Sequence, residues 1–166
     1  MISLQPNHQS QTNPLDLLEE LVFANDWPFD RSSDFELVVE IGGHWCDYHM
    51  GFVWQEEVGA IFFSCQLEQR IPDTRRDVVH ALLAAVNQTL WLGHFDLSTE
   101  DAMLLFRHTI PLRGVPRASV EMLEDLVDTA LQECERFYPA LQLVLWGGQT
   151  PGEALTVAMM DTVGEA

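Results

Sequence analysis

Apolar positions change their period several times along the chain, and each change marks an element. In "NPLDLLEELVFAND" Leu15, Leu18 and Val22 share one face at helical spacing, widened by Leu21. Asn13 is placed to cap this helix and Pro14 to fill its first position. Asp16, Glu19 and Glu20 sit near the positive end of the dipole. "WPFDRSSD" breaks the pattern and leads into extended chain. From Phe35 the period becomes two, and Phe35, Leu37, Val39 and Ile41 share a face. Gly42 and Gly43 suit a tight hairpin. On the returning strand Cys46, Tyr48, Met50, Phe52 and Trp54 align, while Trp45, Asp47, His49 and Gly51 point the other way. After "QEEVG" a third strand aligns Ile61, Phe63, Cys65 and Leu67, which completes an antiparallel meander.

The period then returns to that of a helix. "DTRRDVVHALLAAVNQTLWLG" opens on Thr74 and Asp77, spaced as a capping box, and Gly93 is its expected stop. Val78, Val79, Leu82, Leu83, Val86 and Leu90 give it a wide apolar face. "HFDLS" and "AMLLFRHTIPL" read as two more strands, and the apolar run 102–106 predicts a strand covered on both sides. A long helix capped by Ser119 follows. Pro139 should end or kink it before "ALQLVLW" adds a further turn or two. Past Gly147 and Gly148, Thr150, Pro151 and Glu153 open a short terminal helix.

The predicted order is α-β-β-β-α-β-β-α plus a short C-terminal helix. This is an α+β domain with a five-stranded antiparallel sheet and flanking helices. Residues 1–13 read as a flexible polar tail, 14–146 as the domain and 147–166 as a helical tail.

Composition narrows the partners. Lys and Arg together number 8 against 26 Asp and Glu, a formal charge of −18. That field repels phosphate backbones and anionic membranes and favours basic proteins. The chain has no lysine, which removes Schiff-base chemistry and the lysine of a phosphate-binding loop. Three scattered cysteines fit a reducing compartment, so cytoplasm is the expected location. No apolar stretch has the length to span a bilayer, and the N-terminus lacks the basic start and apolar core of a secretory signal.

Candidate chemistry is sparse. "HWCDYH" gathers His44, Cys46, Asp47 and His49, but strand geometry sends His49 and Asp47 away from His44 and Cys46. Cys65 on the neighbouring strand is the one residue positioned to extend a metal site at His44 and Cys46. Cys46 and Cys65 fall on apolar faces, where thiols pack as small hydrophobes, and Cys134 sits beside glutamates. No nucleophile is paired with a base, and no cofactor is implied; the reading is of a protein that is not an enzyme. Trp54 and Trp91 read as core. Trp45, with Asp47 and His49 beside it, is the candidate strip for contact with a partner protein.

The whole pattern resembles the YbjN-domain family of bacterial sensory transduction regulators. The likeness rests on "LVVEIGGHWCDYHMGFVWQEEVGAIFFSCQLE", on "LLAAVNQTLWLGHFDLSTEDAMLLFRHTIPLRG" and on "ECERFYPALQLVLWGGQTPGEAL". Its sharpest marks are Asn87, Gly93 with Phe95, Phe106 with Arg107, and "FYPALQLVLWGG". None of these is a catalytic motif. The resemblance implies a fold similar to type III secretion chaperones, which are small, acidic and usually dimeric. It thus implies a homodimer and a chaperone-like or adaptor role towards a protein segment. A metal-binding protein and a small-ligand sensor stand as the rival readings.

Overall fold

One antiparallel sheet of six strands organises the computed structural model, which describes residues 12–161. Helix α1 (Pro14–Ala24) precedes β1 (Phe29–Ser33), β2 (Glu36–Gly42), β3 (Asp47–Gln55) and β4 (Ala60–Arg70). A 3-10 turn at Asp73–Arg75 leads into α2 (Arg76–Asn87). Then come β5 (His94–Leu97), β6 (Met103–Pro111), α3 (Val120–Leu145) and α4 (Pro151–Asp161). The strand order is β1-β2-β3-β4-β6-β5, so β6 inserts between its own hairpin partner and the meander. The expected tail lies outside the described residues from 1 to 11, as does the chain end from 162.

The sheet has six strands where five were expected. The additional strand, β1, has no apolar alternation because it is an edge strand with little core beneath it. Its anchor is polar: Arg31 reaches α1 and pairs with Asp16 at 2.8 Å and with Glu19. Phe35, read as the first inward residue of its strand, is half exposed and lies in the turn before β2.

Strands β2 and β3 alternate cleanly. Leu37, Val39, Ile41, Tyr48, Met50, Phe52 and Trp54 are buried, and their neighbours face outward. The inward residues of β4, β5 and β6 join them in a single core cluster with the apolar faces of all four helices. The helices therefore cover one face of the sheet. The run 102–106 is consequently not covered on both sides: Leu104 and Phe106 are buried, but Met103 and Leu105 are only half covered. Ala102 takes a positive φ of 59°, which starts the strand at Met103.

Capping is realised at three helices. Asn13 accepts from the Leu15 amide at 3.0 Å, and Ser119 from Met122 at 3.2 Å. Thr150 and Glu153 exchange bonds as a capping box. The expected box at Thr74 does not form, because the 3-10 turn starts the helix at Arg76 without a side-chain cap. Helix α2 also ends at Asn87, well short of Gly93. This leaves Trp91 in a loop at 73% exposure rather than in the core.

Pro139 neither ends nor breaks α3, which runs unbroken for 26 residues. A missing amide costs one helical bond. Burial of Phe137, Ala140, Leu141, Val144 and Leu145 on both sides of the proline holds the final turns in place. Ala154 and Ala158 of α4, both fully buried, let that helix lie close against α2 and α3.

Candidate functional site

The face of the sheet away from the helices is built by register. Val38 stands opposite Gly51, Gly51 opposite Ser64, and Ser64 opposite Arg107. Glycine and serine between larger neighbours make the floor of this row low. A Cβ on Gly51 would already approach Ser64 Oγ to 3.3 Å. On one side run Glu36, Val53, Phe62 and Thr109; on the other, Glu40, His49, Gln66 and Leu105. The result is a shallow trough with Val38, Val53, Phe62 and Leu105 as its apolar patches and Glu36, Glu40, Asp47 and Glu68 along its margins. Val38 is 43% exposed, and no residue of this face belongs to the core cluster.

These outward apolar residues were missed in the sequence. Their signal was present as consecutive apolar letters, Val38–Val39, Phe52 to Trp54, Ile61 to Phe63 and Leu104 to Phe106, where strict alternation calls for a polar residue.

The electrostatics are one-sided. Arg31, Arg76, Arg107 and Arg136, half of the eight arginines, already hold carboxylates within the chain. Arg107, the arginine of the trough, is 3.1 Å from Asp96. His49 Nε2 lies 3.8 Å from Glu40, a loose contact between two exposed groups.

The strip read as Trp45, Asp47 and His49 divides in space. Strand β3 begins at Asp47, so the alternation stops there and Trp45 belongs to the β2–β3 loop at 43–46. Asp47 and His49 face the open side of the sheet. Trp45 turns toward α3 and stacks parallel to Tyr138 at 5.9 Å, with His44 edge-on at 4.7 Å; it remains 47% exposed. The loop is wider than the tight hairpin expected, since Gly42 pairs with Asp47, and neither Gly42 nor Gly43 has a positive φ. Gly43 is required for space instead: a Cβ there would collide with Glu135 and the Tyr48 ring. Glu135 of α3 accepts the His44 amide at 2.8 Å and ties the loop down.

The three metal candidates do not share a site. His44 is fixed through its backbone, Cys46 is half buried, and Cys65 is fully buried with its sulfur beside Cys134. Among the described residues no three His, Cys, Asp or Glu side chains converge as metal ligands. Burial pushes the Cys46 thiol up, and Cys134 well up. The Tyr48 hydroxyl is buried near Glu135 and Cys46 and makes no hydrogen bond among the described residues. Burial, then the Glu135 carboxylate, drives its pKa upward. An apolar cavity among Leu82, Val86, Phe95 and Phe137 measures about 10 Å³, enough for one water and too small for a metabolite.

Asn87, Gly93, Phe95, Phe106 and Phe137, among the residues that carry the family resemblance, meet at one corner. Asn87 donates to the Phe95 carbonyl at 3.0 Å and accepts from the Phe95 amide at 2.7 Å, clamping the end of α2 to β5. Gly93 holds φ +70° with the Phe106 ring where a side chain would go. Phe95 packs edge-on against both Phe106 and Phe137. The corner is scaffold, and it presents no reacting group.

The chain is thus an α+β domain with helices on one side of its sheet and an open, acid-bordered face on the other. The family model for YbjN, described as "Putative bacterial sensory transduction regulator", matches residues 14–143, and the chain belongs to that family. Among solved structures it is similar to one described as "Crystal structure of YbjN, a putative transcription regulator from E. coli". The TM-score is 0.53 at 14% identity over 76% of this chain and 90% of that one, a likeness of fold. No curated protein matches the chain. No helix among the described residues is long and apolar enough to cross a membrane.

Proposed function

We propose that this chain is a non-enzymatic regulator that works by protein contact, receiving a basic segment of a partner protein in the trough of its open sheet face. The observation that carries the reading is the union of apolar patches and acidic margins on one uncovered face. The apolar residues supply area to bury, and the carboxylates select and steer a cationic partner. Asp47 and His49 belong to this surface, and Trp45, turned toward α3 at the hairpin end, offers a separate half-exposed aromatic anchor beside it. The action is chaperone-like or adaptor-like, with no chemical step. Direct contact with nucleic acid is disfavoured, because phosphate binding needs free cationic side chains and half of the arginines are already engaged.

A second copy of the chain would set the same carboxylates against themselves at this face. The homodimer we propose for the protein therefore pairs through another surface. The test compares wild type with Val38→Arg, which reverses the polarity of the trough, and with Trp91→Ala, an exposed change elsewhere. Immobilised at low salt in lysate of the source organism, wild type and Trp91→Ala should retain the same basic partner, released by salt, and Val38→Arg should lose it. Equal retention by Val38→Arg, or no retention by wild type, would overturn the reading. Sedimentation velocity should give a dimer for wild type and for Val38→Arg alike.

A further inference from the structure

Two of the three cysteines of the chain, 69 residues apart in sequence, meet in the core. Cys65 lies on β4 and Cys134 on α3, both 0% exposed, and the Cys134 thiol donates toward Cys65 Sγ at 3.9 Å. Cys46, the third thiol, is half buried in the β2–β3 loop, where burial above all raises its pKa. Nothing in the proposed contact surface uses these thiols. Two buried sulfurs already in contact between a strand and a helix need only side-chain rotation and a small approach to reach the bonding distance of about 2 Å.

We propose that Cys65 and Cys134 form an oxidation site, which a small uncharged peroxide converts to a disulfide tying β4 to α3. Cys65 Sγ, already the acceptor of the Cys134 hydrogen, attacks one peroxide oxygen. The O–O bond breaks, Cys65 becomes a sulfenic acid, and the displaced oxygen leaves as water with the Cys65 proton. Cys134 Sγ then attacks Cys65 Sγ. The S–O bond breaks, the hydroxyl leaves as water with the Cys134 proton, and the S–S bond forms. Two thiols lose two electrons in total, and one peroxide becomes two waters.

The site is coupled to the surface of the protein by one residue. Glu135 follows Cys134 in α3 and holds the His44 amide, so drawing Cys134 toward β4 moves the anchor of the Trp45 loop. Hydrogen peroxide is close to water in size and carries no charge, which suits a thiol pair that larger oxidants cannot reach.

The experiment treats the full-length native chain with hydrogen peroxide, then alkylates free thiols and maps the peptides by mass spectrometry under non-reducing conditions. The expected result is loss of two of the three free thiols and a linked peptide pair containing Cys65 and Cys134, reversed by dithiothreitol. Cys46→Ser, altered only at the outermost thiol, should give the same linked pair. Retention of all three thiols, oxidation confined to Cys46, a Cys46 cross-link between chains, or sulfinic acid at Cys65 without a link would each overturn the proposal.

Discussion

The corner around Asn87 and the loop around Trp45 solve opposite problems with similar materials. At the corner, an aromatic cluster and one asparagine satisfy each other completely: the Asn87 amide closes both backbone groups of Phe95, and Phe106 fills the space that Gly93 vacates. At the loop, Trp45 has one ring face against Tyr138 and the His44 ring edge-on, stays half exposed, and its loop is held by a carboxylate reaching from α3. A saturated cluster can only be damaged by substitution. A cluster with one side open can be changed at small cost to the fold, which is the property a contact residue needs.

Substitution should separate the two regions sharply. Phe106→Ala removes a fully buried ring that meets Phe63 and Phe95, and should cost about 3–5 kcal/mol, a large part of a domain's total stability. Urea unfolding followed by circular dichroism measures this; a loss below about 1 kcal/mol would mean that the corner is not a tight core. Asn87→Ala leaves the Phe95 amide and carbonyl without their partner and should cost about 1–3 kcal/mol. Faster hydrogen exchange confined to β5 would locate the damage, whereas unchanged protection there would show that the clamp is dispensable. Trp45→Ala should cost less than Phe106→Ala: about 0.5–1.5 kcal/mol for the aromatic pair, plus the area of a ring only half buried. It should also weaken the salt-sensitive partner that wild type captures. A melting temperature lowered as far as by Phe106→Ala would place Trp45 with the corner and remove it from the contact surface.

Much of the fold was legible because its helices and strands obey their periods over long stretches. The alternation of β2 and β3, the caps at Asn13 and Ser119 and the box at Thr150 were all readable from residue type and spacing. What escaped was set by tertiary context. Arg31 makes β1 a strand by reaching α1, and no local pattern announces an ion pair made across 15 residues. The proline of α3 is tolerated because the turns around it are buried, and burial is not a local property. The candidate surface was half legible. Asp47 and His49 were placed on the outward face correctly, whereas Trp45 was read one pair beyond the end of its strand. Of the apolar residues of the trough, Val38, Val53 and Phe62 drew no reading and Leu105 was expected to be covered, because a single sequence does not say which side of a sheet is covered. The contact between Cys65 and Cys134 had no local signal at all.

The strand order also has a consequence for how the chain reaches its native state during synthesis. Each of β2, β3 and β4 pairs with the strand before it, so the meander needs no residue beyond Arg70 to complete its hydrogen-bond ladder. Only β6 must find a partner across an intervening helix, and β5 then adds to its outer edge. Short sequence separations close quickly. The meander can therefore assemble before the chain beyond it has been made, with its inward apolar face bare until α2 and α3 follow to cover it. Helix α4, which follows α3 in the chain and lies on α2 and α3, joins after both.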